Sequence, residues 1–356
     1  HGNGHDYRWY DHIGRHMASY GYVVMSHQNN TGPGIATAST TTLGHTDAFL
    51  DQLDTIEGGV LNGHVDSSRI IWIGHSRGGE GVAYAYDRLV DGTYAPTNYS
   101  IDSIQLVSSI APTDFLGPSS ANPHGVPYHL WTGGADSDVN GCANCNICQT
   151  FHLHDRATEY RQSISLHGAG HGHFHNGGGN PWADGPCLLT APIVHSIMRG
   201  YFLSLCEHYI YGNIPAKDYL TRQYESFHAI SASKTSCVVV DMMYREGSAA
   251  GNYMLDDYQT NASPAVSSSG GAVTYTVGNI SEGRFDDANS DFTHNPSDAM
   301  NGVTLGMASD STRGTVFDWT ATGAYYELEV PAGDRDLGGY ERFSFRAAQA
   351  TRHPNT

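Results

Sequence analysis

A serine flanked by glycines is the residue in this sequence best suited to covalent chemistry. The segment Gly74–Gly78 reads Gly-His-Ser-Arg-Gly, fits the pattern G-x-S-x-G and directly follows the apolar run Ile70–Ile73. Glycines two positions before and two after Ser76 allow a tight strand-to-helix turn, because neighbouring backbone can pass without meeting a Cβ atom. We therefore predict that Ser76 is a nucleophile rather than part of an ordinary glycine-rich turn.

A nucleophilic serine of this kind needs an acid and a base, which follow it along the chain in that order. Three aspartates stand after later apolar runs: Asp114 after Ile104–Ile110, and Asp136 and Asp138 after His129–Trp131. We predict Asp138 as the acid, with Asp136 and Asp114 as the next choices. The alternative is that each aspartate only caps a turn, the commonest use of a loop aspartate.

Several histidines follow the next apolar run, Ser163–Leu166, at positions 167, 171, 173 and 175. We predict His171 as the base, because the small residues before it leave room for an imidazole to turn towards Ser76. His171, His173 and His175 alternate along the chain, so they could instead bind zinc or copper. The triad is preferred because neither a carboxylate nor a cysteine lies at ligand spacing beside the other two histidines.

A tetrahedral intermediate on Ser76 would also need N–H donors for its oxyanion. The usual pair is the residue after the nucleophile and one residue of an early loop, which here predicts the N–H groups of Arg77 and Asn3. The glycines on either side of Asn3 let that backbone turn inward; a plain glycine turn is the alternative. Three further residues are expected to line the substrate pocket: Tyr7, Trp9 and His75.

Helices and apolar strands alternate in the part of the chain that must position these residues. Strands are predicted at Gly21–Met25, Ile70–Ile73, Ile104–Ile110, His129–Trp131 and Ser163–Leu166. Helices are predicted at Tyr10–Tyr20, Ala48–Ile56, Val82–Leu89, Arg156–Tyr160 and Ile193–Tyr209. This alternation predicts a doubly wound, mostly parallel sheet covered on both faces, an α/β domain over residues 1–232.

The pattern changes after about Ser231, where short β-rich runs are separated by clusters of Gly, Asp, Asn and Ser. The runs are Val238–Val240, Val273–Val277, Val303–Met307, Thr315–Trp319, Tyr325–Val330 and Phe343–Arg346. They predict an all-β, jelly-roll-like sandwich over residues 237–356. Four of its residues could bind Ca²⁺ as hard oxygen ligands, with a solvated acidic loop as the preferred alternative: Asp286, Asp287, Asn289 and Asp291.

Composition excludes several classes of protein. With 356 residues the chain is longer than one hydrophobic core usually supports, which favours two domains. Its net charge of −18 opposes binding to nucleic acid or anionic lipid. No apolar stretch approaches the ~18 residues of a membrane span, and a hydrophobic content of 39% is too high for a disordered chain. We therefore expect a soluble, folded protein.

The chemistry-bearing segments together resemble the α/β-hydrolases of the cutinase and polyester-hydrolase type, which are dienelactone-hydrolase-like. They are His1–Asn3, Tyr10–Met25, Gly74–Gly79, Ala135–Asp138 and Gly168–His171, so the resemblance covers roughly residues 1–215. Gly-His-Ser-Arg-Gly-Gly is similar to chlorophyllases, and the wider pattern is similar to platelet-activating-factor acetylhydrolases. The resemblance implies hydrolysis of carboxylic esters through an acyl-enzyme on Ser76, without a cofactor.

The sequence departs from that family at two places. Polyester hydrolases usually carry a Trp after the Ala-Pro that ends the strand following the elbow helix, whereas Thr113 follows Ala111-Pro112 here. An aromatic clamp for a polymer ring is therefore not expected at that position. The family also places its oxyanion loop after a central strand, and this sequence begins at the loop. Either strands precede His1 or the N-terminus was processed; we expect further strands before His1, because losing a central strand would leave an unprotected sheet edge.

Six cysteines form an even set, which suits an oxidising compartment and predicts a secreted protein. No leader peptide is visible at His1-Gly2. The triplet Cys142, Cys145 and Cys148 has the spacing of some iron–sulfur ligands, but it follows the predicted acid directly, so disulfide anchoring of that loop is preferred. The expected pairs are one within the triplet or from the triplet to Cys187, and Cys206 with Cys237.

The leading hypothesis is thus a secreted serine esterase, acting on lipid or polyester esters, with an accessory β-sandwich that binds carbohydrate, a surface or another subunit. A different class is a non-catalytic surface or structural protein built on a hydrolase scaffold, since a fold alone does not imply activity. A third is a metal-dependent enzyme using the cluster of His171, His173 and His175. Beyond possible structural Ca²⁺ in the second domain, no cofactor is expected.

Overall fold

The computed structural model describes residues 1–117, 119–139, 151–221, 228–235, 237–245, 252–258, 260–261, 263–284 and 313–340, together with residues 343, 345 and 347. The chain forms two compact units, one comprising residues 1–140 and 147–247 and the other comprising mainly residues 248–356. No helix within these described ranges is both long enough and apolar enough to cross a membrane.

The first unit is an α/β fold around a five-stranded sheet. The strands are β1 (Ile70–His75), β2 (Ile104–Ile110), β3 (Tyr128–Gly133), β4 (Arg161–Leu166) and β5 (Val240–Arg245), in that spatial order. The first four run parallel, and β5 is antiparallel to β4. The mostly parallel sheet predicted from the alternation of helices and strands is therefore confirmed.

Helices cover both faces of this sheet. They are α1 (Asp11–Ala18), α2 (Ile35–Asp51), α3 (Arg77–Val90), α4 (Phe151–Arg156), α5 (Ala191–Tyr211) and α6 (Ile214–Thr221). Neighbouring residues of β3 show the two layers, because successive strand side chains point to opposite faces. Trp131 packs in a core with Phe202 of α5, whereas Leu130 packs in a second core with Val82 of α3. All four residues are buried.

Helix α2 begins much earlier than predicted, at a position where the sequence reads as a threonine- and glycine-rich loop. Its threonines donate their hydroxyls to the carbonyls four residues back, for instance Thr42 to Ala38 at 3.1 Å and Thr46 to Thr42 at 2.8 Å. The hydroxyls are therefore satisfied within the helix, and Leu43 can be fully buried against the sheet. Tertiary packing outweighs the low helix propensity of threonine here.

One strand prediction near the sheet was wrong, and one predicted run was assigned to the wrong unit. Gly21–Met25 forms no strand, and Val23 and Val24 are 45% and 44% exposed. A strand needs a hydrogen-bonded neighbour, and in the described part of the chain β1 pairs only with β2. The run Val238–Val240 belongs to the first sheet and not to the second unit, because Val240 pairs with Leu166 of β4. The first unit consequently extends beyond residue 232 to Gly247.

The described part of the second unit contains two antiparallel strand pairs. One joins β6 (Val273–Tyr275) to β9 (Tyr326–Leu328), and the other joins β7 (Gly278–Arg284) to β8 (Arg313–Asp318). Three of the predicted β-rich runs thus contain strands, while Val303–Met307 lies outside the described residues. The sandwich architecture itself stays a prediction.

Candidate active site

Ser76 occupies a sharp turn between β1 and α3. Its φ of 56° and ψ of −127° lie in a region that residues with a side chain rarely adopt, and such strain is concentrated at functional sites. The turn is held by a hydrogen bond from the Ser76 N–H to the Ile110 carbonyl of β2, at 2.8 Å. A Cβ atom at Gly74 would overlap the carbonyl of Gly78. The glycines of the motif are therefore sterically required by this turn.

The chain after β3 and the chain after β4 bring an aspartate and a histidine together. Gly133 at the end of β3 is in register with Leu166 at the end of β4, so the loops that follow them emerge side by side. Nδ1 of His171 lies 2.8 Å from Oδ2 of Asp136, and both side chains are almost fully buried. The other carboxylate oxygen of Asp136 accepts the N–H groups of Asp138 at 2.8 Å and Val139 at 2.9 Å.

This geometry favours Asp136 over Asp138 as the acid. The Asp138 carboxylate is 51% exposed and lies 3.5 Å from Nε2 of His171, the nitrogen that a serine base must keep available. Asp136 is buried and bonds to Nδ1, the side on which an acid fixes the tautomer. Asp114 has other partners, since it binds His152 Nδ1 at 2.8 Å and Arg156 at 2.7 Å. We therefore replace Asp138 by Asp136 in the orienting role.

The second ring nitrogen of His171, Nε2, has a different environment from Nδ1. Nε2 is buried and forms no hydrogen bond within the described residues. The His171 ring lies 4.5 Å, between centroids, from the ring of His75, the residue that precedes Ser76. Ser76 and His171 are thus brought to the same end of the sheet, as successive loops at the carboxyl ends of parallel strands should be.

A loop that the sequence did not single out joins the acid loop to the base loop. The carbonyl of Trp182 accepts the N–H of Ser137 at 3.0 Å and the N–H of His171 at 3.2 Å. Asp184 N–H donates to the Ala135 carbonyl at 2.9 Å, which adds a second bond to the acid loop. Trp182 has a φ of 46° and its side chain is 50% exposed. The nearby Gly170 could have indicated this contact, because a Cβ there would overlap Ala183.

A hydrogen-bonded chain of aromatic residues lies beside the serine. The Tyr10 hydroxyl lies 2.7 Å from His75 Nδ1 and 2.9 Å from His5 Nδ1. Burial lowers the pKa of His5 to about 3, with the nearby His175 as a second cause. Burial also lowers the pKa of His75 and raises that of Tyr10. The cluster is therefore neutral at ordinary pH. Sequence reasoning named His75 but missed Tyr10 and His5, which only the fold brings near it.

The residues expected to line a substrate pocket lie at different depths. Tyr7 is exposed, whereas His75 is buried. The Trp9 ring packs 5.0 Å from the His5 ring and 4.9 Å from the His175 ring. Trp9 and His75 thus belong to the aromatic cluster beside the serine, and Tyr7 lies at the surface.

The residues of the two predicted oxyanion donors lie in the serine turn and in the loop beside it. Arg77 is the first residue of α3, where a helix leaves its N–H without an intrahelical acceptor. Gly2 passes close to Ser76, since a Cβ there would lie 3.0 Å from the Ser76 Cβ. Asn3 follows directly, and Gly4 has a φ of 70°, which the glycine makes possible. Arg77 and the segment Gly2–Asn3 are thus both next to Ser76.

The three alternating histidines have separate hydrogen-bond partners. His173 Nδ1 accepts the Gly170 N–H at 2.9 Å, and His175 Nδ1 accepts the Gly177 N–H at 3.1 Å, while His171 binds Asp136. In the part of the chain that the structure describes, no group of three or more possible ligands is arranged to hold a metal ion. The Ca²⁺ candidates Asp286, Asp287, Asn289 and Asp291 lie outside the described residues.

The disulfide prediction was wrong for the second pair. Cys187 bonds to Cys237, and Cys206 is a buried free thiol. The bond ties the loop containing Trp182 to the approach to β5. Because β5 belongs to the first sheet, Cys237 lies beside this loop instead of in a separate domain. Because Cys187 bonds to Cys237, the expected alternative of a bond from the triplet to Cys187 was also wrong. Cys142, Cys145 and Cys148 lie outside the described residues, so a bond within the triplet stays a prediction.

Comparison with known proteins gives no family for this chain. No protein-family profile matches it, and no curated protein matches it.

Proposed function

We propose that this protein is a serine esterase of the α/β-hydrolase type that hydrolyses carboxylic esters. One observation carries the proposal: a serine in a strained strand-to-helix turn shares the carboxyl edge of a parallel sheet with a buried aspartate–histidine pair. A serine in a turn or a buried aspartate–histidine pair would each be common on its own. A strained turn at the serine, a buried histidine and an acid on the Nδ1 of that histidine are together features on which nucleophilic attack by serine depends.

In the proposed reaction, His171 Nε2 removes the hydroxyl proton of Ser76 as Oγ attacks the ester carbonyl carbon. Asp136 holds the imidazole by its Nδ1–H and stabilises the imidazolium that forms. The N–H groups of Arg77 and Asn3 bind the carbonyl oxygen as it becomes negative. His171 then gives the proton to the departing alcohol, and an acyl group stays on Ser76.

Water completes the cycle by the same steps. His171 removes a proton from water, the hydroxide attacks the acyl carbon, and the returned proton releases Ser76 and the carboxylic acid. The neutral cluster of His5, Tyr10 and His75 supports this step, because it lines the site without a fixed positive charge that would oppose the imidazolium. Trp9, which is only partly buried, is proposed to contact an apolar substrate such as a lipid or polyester.

We further propose that the protein is secreted and that its second unit is a β-sandwich that binds carbohydrate, a surface or another subunit. The Cys187–Cys237 bond supports an oxidising compartment. The strand pairs β6–β9 and β7–β8 support an antiparallel architecture for the second unit.

Hydrolysis of p-nitrophenyl acetate and p-nitrophenyl laurate tests the esterase proposal. We expect turnover by the wild-type protein, loss of turnover in Ser76→Ala, and no effect of a chelator. Ser68→Ala is the matched control, since Ser68 lies on an exposed turn and its hydroxyl donates to the neighbouring Asp66 at 2.6 Å. Activity that survives in Ser76→Ala, or that a chelator removes, would contradict the proposal. No turnover of either ester by the wild type would favour a non-catalytic scaffold.

A further inference from the structure

The side chain of Arg77 has contacts that its predicted backbone role does not explain. Its guanidinium donates to the Thr31 carbonyl at 3.2 Å and to the Gly32 carbonyl at 3.4 Å. It also lies over the Phe115 ring, 5.1 Å from the ring centroid. The side chain therefore joins the start of α3 to the loop that contains Thr31.

Thr31 continues this connection to the early loop. Thr31 is buried, and its hydroxyl donates to the Gly2 carbonyl at 3.0 Å. The same carbonyl accepts the His5 N–H at 3.2 Å. Hydrogen bonds therefore link the guanidinium of Arg77 to Thr31, which lies 46 residues earlier in the sequence. They continue from the Thr31 hydroxyl to Gly2, which lies a further 29 residues earlier.

The Gly2 carbonyl controls the direction of the second oxyanion donor. The carbonyl of Gly2 and the N–H of Asn3 belong to one planar peptide unit and point in opposite directions. These two hydrogen bonds, together with the contact from His1 Nδ1 at 2.8 Å, hold the carbonyl and therefore fix where the Asn3 N–H points. Without them the unit could rotate easily, because glycines flank Asn3 and have the widest backbone freedom.

We propose that Arg77 is a positioning residue for the oxyanion site, whose side chain acts through Thr31 to orient the Asn3 N–H while its own N–H supplies the other donor. This inference rests on the proposed esterase function. It assigns a role to the Arg of the G-x-S-x-G motif that the pattern itself does not specify.

The test combines Arg77→Met, which keeps the stem and the backbone N–H, with Thr31→Val, which keeps the shape and removes the hydroxyl. Removing an oxyanion donor outright costs about 10²–10³ in kcat, so a misdirected donor should cost about tenfold or more. We expect each variant to lose kcat in that range with KM nearly unchanged. The double variant should lose little more than the worse single variant, because both break the same connection.

A transition-state analogue separates this role from a merely structural one. We expect the affinity for an alkyl boronic acid, which forms a tetrahedral adduct on the serine, to fall in proportion to kcat/KM. Binding of the carboxylate product should not change. Thr31→Ser, which retains the hydroxyl, should restore kcat. Thr41→Val is the matched control, since it removes a similar hydroxyl-to-carbonyl bond within α2, and it should leave kcat unchanged.

Three results would overturn the inference. The first is unchanged kcat and boronate affinity in correctly folded Arg77→Met and Thr31→Val, checked by their urea-unfolding midpoints. The second is additive losses in the double variant. The third is a loss confined to KM that depends on substrate charge, which would mean that Arg77 binds substrate directly. In each case turnover that still depends on Ser76 would leave the esterase proposal intact, whereas wild-type turnover independent of Ser76 would refute both.

Discussion

Asp136 and Asp138 stand two residues apart on the same loop, and only one of them can orient His171. Asp136 bonds to the Nδ1 side and is buried, whereas the Asp138 side chain is half exposed. Sequence spacing could not distinguish them, because both follow the same strand by a few residues. The choice depends on the Asx-type turn in which Asp136 accepts the N–H of Asp138, which directs the two carboxylates differently.

We expect Asp136→Asn to lower kcat by about 10³–10⁴, because an amide in place of the carboxylate favours the wrong tautomer of the imidazole. Asp138→Asn is the matched control and should change kcat only a few-fold. Steady-state hydrolysis of a p-nitrophenyl ester measures both. The assignment would be reversed if Asp138→Asn were the inactive variant.

The Tyr10 hydroxyl should stabilise the folded protein through its contacts with His5 and His75. Tyr10→Phe keeps the ring but leaves Nδ1 of both His5 and His75 without the hydroxyl. An unsatisfied buried polar group costs about 1–3 kcal/mol, so we expect the free energy of unfolding in urea to fall by that order. Tyr94→Phe, which loses a bond to Asp47 in a less buried setting, should cost less. Equal effects of the two substitutions would show that the cluster is not specially stabilising.

At the scale of elements, the loop from Asn180 to Asp184 is the part that the sequence does not reveal. Its backbone binds both the acid loop and the base loop, and backbone bonds leave little trace in residue types. The elbow strand and the elbow helix, in contrast, were predictable, since an apolar run and a glycine pattern mark them. Gly21–Met25 has the composition of a strand but pairs with no strand in the described part of the chain, and composition alone does not predict a pairing partner.

The Cys187–Cys237 bond should stabilise this loop and the site that it holds. It closes a segment of 50 residues, and a loop of that length typically contributes about 2–4 kcal/mol. We expect Cys187→Ser to lower the free energy of unfolding by that order and to reduce kcat. Cys206→Ala is the matched control, because Cys206 is buried and forms no disulfide. An unchanged kcat in a destabilised Cys187→Ser variant would show that the site does not depend on the bond.

At the scale of the whole molecule, the parallel sheet and the change to β-rich sequence were both predictable from periodicity. The boundary between the units was not, because β5 looks like the runs that follow it. Its antiparallel pairing with β4 places it in the first unit, and such long-range pairing leaves no signal within a single apolar run.

Buried histidines should make the protein sensitive to acid. Burial lowers the pKa of His129 to about 3 and is the main cause of lowered pKa values at His5, His12, His27, His175 and His195. Such groups bind protons in the unfolded chain below about pH 6.5 but not yet in the folded one. Stability is therefore complete above that pH and falls as the pH drops towards 3.

We expect the free energy of unfolding to be nearly constant above about pH 6.5 and to fall by up to about 1.4 kcal/mol per pH unit for each histidine that stays neutral. Urea unfolding at pH 7, 6, 5 and 4 measures this slope. His129→Asn should make it shallower, while His64→Asn, at an exposed position, should not. A slope that is the same in both variants and the wild type would contradict the assignment of His129.

The most direct test of the account is reaction of the whole protein with a serine-directed fluorophosphonate, followed by peptide mass spectrometry. We expect one phosphonyl group per chain, attached to Ser76, with labelling lost in Ser76→Ala and strongly slowed in Asp136→Asn. Absence of labelling in folded wild-type protein, or a label on another serine that persists in Ser76→Ala, would contradict the claim that Ser76 is an activated nucleophile.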